Sequence, residues 1–71
     1  MSLSLVNRMD FKGHRISIYR ESNPFEFIVR FAKGGIYNPD QDYFTDDYQD
    51  ALGTAKHVLR TWTNEEIESL N

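Results

Sequence analysis

Four carboxylates crowd into ten residues of this 71-residue chain: Asp40, Asp42, Asp46 and Asp47 in NPDQDYFTDD (38–47), with Asp50 just beyond. Hard cations such as Ca²⁺ take several oxygen ligands, so the cluster is the first place to look for a metal site. An EF-hand loop needs regularly spaced carboxylates, a glycine at its sharp turn and a closing glutamate. Here the glycine is missing and Tyr43 and Phe44 interrupt, and a solvated acidic loop is expected. The two histidines, His14 and His57, are not spaced to present two ligands on one helix face. Ser17, Ser22 and the threonines sit in no nucleophile motif, and the chain has no cysteine to supply a thiolate. A catalytic centre needs a nucleophile, a base and an oxyanion donor converging in a pocket, and so short a chain can enclose little of a cleft. The expectation is a protein with no catalytic residues, no metal and no cofactor.

The remaining polar chemistry is surface chemistry, and it depends on strands. RISIY (15–19) alternates, with Ile16 and Ile18 on one side and Arg15, Ser17 and Tyr19 on the other. In FEFIVRF (25–31), Phe25, Phe27, Val29 and Phe31 share one side, and Glu26, Ile28 and Arg30 the other. ESNP (21–24) reads as a turn between them, and KGG (33–35) as a tight hairpin. A third strand is expected in GIYNPDQDYF. Pro39 makes it either an edge or broken by a loop at 38–42, with Phe44 turning inward before a helix.

That helix is the most regular segment of the chain. Tyr48, Ala51, Leu52, Ala55, Val58, Leu59 and Trp62 recur at helical spacing and form one apolar stripe. Thr45 or Asp46 would cap it, Asp46 and Gln49 resembling a capping box. Gly53 falls on its polar side, where a close-approaching backbone is one explanation. A second capping box, Thr63 to Glu66, predicts a short C-terminal helix with Ile67 and Leu70. The only large apolar partner for the stripe is the Phe25/Phe27/Val29/Phe31 side of the strands. The fold class is therefore α+β: a three-stranded antiparallel meander with one amphipathic helix packed on one face, β-β-β-α. Residues 1–8 read as a flexible N-terminal arm, and 9–71 as the domain.

Composition sets the outer bounds. The formal net charge of −3 divides into +3 over residues 1–37, where six Lys/Arg face three acids, and −6 over 38–71. Such asymmetry marks a basic contact face or two halves of one domain attracting each other. The start, MSLSLVNRMD, lacks a continuous apolar block and a small-residue cleavage site, and no segment reaches the roughly 20 apolar residues that cross a bilayer. With no cysteine as well, the expectation is a cytoplasmic protein that does not meet membranes.

The pairing of FEFIVRF with DDYQDALGTAKHVL resembles the small β-β-β-α domain of HicB-type antitoxins, in which a strand and hairpin precede an acid-capped helix. Asp50, Ala51, Leu52, Ala55, Lys56 and Leu59 carry the likeness, which covers residues 25–62. The family's Pro-Asp-x-Pro-Gly turn is replaced by AKGGIYNPDQD, and no DNA-binding segment follows Trp62. ISIYRESNPFEFIVRF is similar to YegP-like small domains. Both resemblances imply topology, and neither transfers a site residue.

A sheet covered on one side leaves the other to water or to a partner. Arg15, Tyr19, Ile28 and Arg30 are the candidate partner-binding residues there. Ile28 among polar neighbours points to a homodimer seam, on that face or along an edge strand; a solvated face with cross-strand Arg/Glu pairs is equally consistent. The functional expectation is a small binding or assembly module. The alternative is an antitoxin-like or nucleic-acid-binding regulator that stacks bases on Tyr19 and neutralises phosphates with Arg15 and Arg30.

Overall fold

The structure, a computed structural model, describes residues 3–22 and 25–69, the last four as backbone only. It is α+β, as expected, but the sheet has five strands rather than three. The chain runs β1 (Leu3–Phe11), β2 (His14–Ser22), β3 (Phe25–Lys33), β4 (Ile36–Tyr37), a 3-10 turn (Pro39–Gln41), β5 (Tyr43–Thr45) and α1 (Tyr48–Ser69). Neighbouring strands are antiparallel in the order β1-β2-β3-β4, and β5 joins β4 on the far edge of β3.

Two differences from the expectation have local causes. Residues 3–8, read as an arm, form the first two-thirds of β1, because Leu3–Phe11 finds a full antiparallel partner in β2. The third strand is split. Pro39 has no N–H to donate and opens a 3-10 turn, its preceding Asn38 side chain accepting from the Asp40 N–H at 3.1 Å. The connection at 23–24 lies outside the described residues.

The core forms where the two periodicities meet. Ile16, Ile18 and Val29 are fully buried, with Phe27 and Phe31 beside them. Register pairs Ile16 with Phe31 and Ile18 with Val29, so all point to one side of the sheet. The helix lies across that side. Ala51 and Ala55 are fully buried, and their small side chains let the helix axis approach the phenylalanine-rich strands. Trp62 packs edge-on against Phe31, ring centroids 6.3 Å apart, and Tyr48 meets Phe27 at 5.4 Å. Phe25 lies at the sheet's end, exposed and edge-on to Phe27.

The helix is capped by Asp47, not by Thr45 or Asp46. Its carboxylate accepts from the Gln49 N–H at 3.0 Å and its carbonyl from the Ala51 N–H at 3.0 Å. Thr45 supports the cap from outside, its hydroxyl accepting the Asp47 N–H. No second helix starts at Thr63. Its hydroxyl donates to the Leu59 carbonyl at 2.8 Å inside one continuous helix. Leu70 lies outside the described residues. Around Gly53 nothing lies within 4 Å of where a Cβ would stand, so no described backbone approaches it.

Candidate interaction face

A strand irregularity decides what the uncovered side of the sheet carries. In β1, Met9 pairs with Ile16 and Asn7 with Ile18, on the helix side. By simple alternation Leu5 and Leu3 would follow them there. The register instead shifts between Leu5 and Asn7, a bulge that leaves Val6 extra, and Leu5 pairs with Tyr19 and Leu3 with Glu21. Both leucines are thereby turned to the uncovered side.

They complete a row. Leu5 stands opposite Tyr19, Tyr19 opposite Ile28, and Ile28 opposite Phe44, on four adjacent strands. Phe44 thus faces outward, 54% exposed, contrary to the inward turn expected of it; pairing with Ile28 fixes that direction. Leu5 is 51% exposed at the other end. Ile28 between them is only 5% exposed, shielded by its neighbours although no helix covers it.

Beside this row lies a polar band. Arg30 spreads its guanidinium over two aromatic faces, 5.0 Å from the Tyr19 ring centroid and 5.6 Å from that of Tyr37. Its Nε lies 3.7 Å from an Asp42 oxygen, an ionic contact too long to be a hydrogen bond. Arg30 Nε and the second Asp42 oxygen are buried without hydrogen-bond partners, a gap suited to a bridging water. The Tyr37 hydroxyl donates to Asp42 at 2.6 Å, and this carboxylate raises the phenol's pKa above its ordinary value. Arg15 Nε donates to Asp10 at 2.7 Å, and Arg8 lies 3.2 Å from the same carboxylate. The Arg15 hydrogen bond is the main reason that the Asp10 pKa lies below the usual value. Arg15, Ser17, Tyr19, Arg30 and Tyr37 contribute to the lining of a shallow cavity of about 190 Å³.

The four residues singled out from sequence, Arg15, Tyr19, Ile28 and Arg30, therefore lie on one side of the sheet. Tyr19 and Ile28 belong to the apolar row, Arg15 and Arg30 to the polar band. Sequence reasoning missed Leu3 and Leu5, whose signal was the apolar run LSLV at the start of the chain, and Phe44.

Several of the other chemistry-bearing groups are engaged structurally. The Asp50 carboxylate accepts from the Tyr43 hydroxyl at 2.6 Å, which raises the Tyr43 pKa, and Asp47 caps the helix. Among the described residues no three carboxylates, histidines or cysteines gather to hold a metal ion. His14 Nδ1 accepts the Gly34 N–H at 2.7 Å while its ring lies 5.3 Å from that of Trp62, tying the β3–β4 turn to the helix. No described helix is long and apolar enough to cross a membrane. No protein-family model, no curated protein and no solved structure matches the chain.

Proposed function

We propose that this protein is a small non-enzymatic assembly module that self-associates through the side of the sheet that α1 leaves open. The observation that carries the reading is the unbroken row Leu5–Tyr19–Ile28–Phe44, two of whose members are more than half exposed. Large apolar side chains left exposed at both ends of one row, on a side that no helix covers, are a feature of interaction sites on soluble domains. Charge supports a second copy of the chain as the occupant. Arg8, Arg15 and Arg30 share the uncovered side with Asp10, Glu21, Glu26 and Asp42, so the surface is mixed in sign and nearly neutral. Two copies repel little through such a surface, whereas a polyanion gains little from it.

The test is the mass in solution by light scattering over a range of concentration. Leu5→Ser and Phe44→Ser remove exposed apolar groups without emptying the core, and each is expected to lower the associated mass while far-UV circular dichroism stays native. If both variants keep the wild-type mass, the face is not the contact.

A second reading rests on the stack of Arg30 between Tyr19 and Tyr37, which resembles a platform for an unpaired base. On that reading the protein is an antitoxin-like regulator. It predicts salt-sensitive binding to single-stranded RNA, weakened by Arg15→Ala and Arg30→Ala. A titration showing no binding at low salt eliminates it.

A further inference from the structure

We infer that the β1 edges of two copies pair antiparallel about a two-fold axis, so that two chains share one continuous sheet; this rests on the self-association reading above and specifies its geometry. The two sheet edges are treated very differently by the sequence. On the far side of β3 the chain ends the sheet with a two-residue strand, a proline-led 3-10 turn and a three-residue strand. Short edge strands and proline are the ordinary means of blocking edge-to-edge pairing. At the opposite edge, β1 runs for nine residues and, among the described residues, pairs only with β2. Its first half, Leu3-Ser4-Leu5-Val6-Asn7, has no charge and no proline, and Leu3, Leu5 and Val6 are each more than 40% exposed. The bulge at Val6 and the charged Arg8 and Asp10 limit pairing along the rest of this edge, which confines the contact to the uncharged first half. One open and one blocked edge favour a contact that closes on itself about a two-fold axis over an open fibre.

Area supplies a separate reason. Nine-residue strands are about 30 Å long, and four strand spacings span about 19 Å, so one copy's uncovered face has a footprint of about 600 Å². A stable interface takes about 600–1,000 Å² from each partner, so one face alone lies at the lower limit. A two-fold perpendicular to the sheet keeps both uncovered faces on the same side and sets the two Leu5 ends of the apolar rows next to each other. The joined platform, about 1,200 Å² by the same reckoning, is large enough to stack on a second such pair. The assembly is then a closed tetramer with two kinds of two-fold contact.

Light scattering on the full chain tests this, with a mass of about 34 kDa expected, four times the 8.4 kDa of one chain. Val6→Lys puts a charge on the edge and is expected to halve the mass or reduce it further. Phe44→Ser is expected to leave edge-linked dimers of about 17 kDa. The chain has no cysteine, so single cysteines placed in turn at Ser4, Leu5 and Val6 report the axis directly: oxidation should give a covalent dimer at one position or more. If none of the three cross-links, or if Val6→Lys keeps both a native spectrum and the wild-type mass, edge pairing is wrong. The face reading survives that result if Phe44→Ser still lowers the mass. A wild-type mass of 8.4 kDa at millimolar concentration overturns both.

Discussion

Gly53 and Gly34 allow one chemical change to be made in two backbone settings, with opposite results expected. Neither site has an atom within 4 Å of where a Cβ would stand, so alanine meets no clash at either. Gly53 lies within α1 and is exposed. Replacing an exposed helical glycine by alanine stabilises by about 0.5–1 kcal/mol. Gly34 sits in the β3–β4 turn at φ +64°, and an alanine held in that left-handed region costs about 1–2 kcal/mol. Both substitutions restrict the unfolded chain in the same way, so this contribution cancels between them. For 71 residues the unfolding entropy is about 150 cal/mol/K near 60 °C, making 1 kcal/mol equivalent to about 7 °C in Tm. Gly53→Ala should therefore raise Tm by about 3–7 °C, and Gly34→Ala should lower it by about 7–13 °C. Thermal melts followed by circular dichroism at one fixed, low protein concentration read both, since association itself shifts Tm. A lower Tm for Gly53→Ala would refute the open surroundings of that helix position. A higher Tm for Gly34→Ala would refute the turn conformation.

Three further outcomes follow from named contacts. Asp47→Ala removes the acceptor for the Gln49 N–H and should destabilise by about 0.5–2 kcal/mol in urea, whereas Asp46→Ala should change little. Tyr37 and Tyr43 have raised pKa values, so their hydroxyl contacts with Asp42 and Asp50 contribute fully below about pH 10 and are lost as pH climbs through the folded values. Urea midpoints should thus fall at alkaline pH, and less so in the Tyr37→Phe/Tyr43→Phe double variant. Asp10 has a lowered pKa, so the stability it lends is present above about pH 4 and disappears as pH drops through its folded value. Asp10→Asn should flatten that acid limb of the urea midpoint against pH, and an unchanged limb would show that the Arg15 contact does not persist in solution.

How much of this was legible in the sequence depends on whether a periodicity ran unbroken. The helix stripe from Tyr48 to Trp62 and the Phe27/Val29/Phe31 side are regular, and their packing follows directly from them. The helix's starting residue was missed because Thr45, Asp46 and Asp47 are all plausible caps, and only the hydrogen bonds distinguish them. Its continuation past Thr63 was missed because a threonine that returns its hydroxyl to the Leu59 carbonyl looks, in sequence, like one that caps. The larger omission was β1. Leu3, Leu5, Asn7, Met9 and Phe11 share one parity, yet the bulge sends the first two to the opposite side from the last three. Alternation cannot reveal an inserted residue, so this stretch reads as apolar fragments with no consistent face.

The same bulge changes which residue is the informative probe of function. From sequence, Ile28 stands out as an apolar residue among polar neighbours, and Ile28→Glu is the natural variant for a contact on that face. At 5% exposure the isoleucine is already enclosed by its own chain. A glutamate there would bury an unpaired charge, and the fold would suffer whether or not a partner exists. Leu5 and Phe44 sit directly across the strands at the two ends of the same row and stay more than half exposed. In an isolated chain, replacing either by serine removes little buried area and should cost little stability. Any large effect of those two substitutions on the mass or on concentration-dependent melting must then come from surface that another molecule covers.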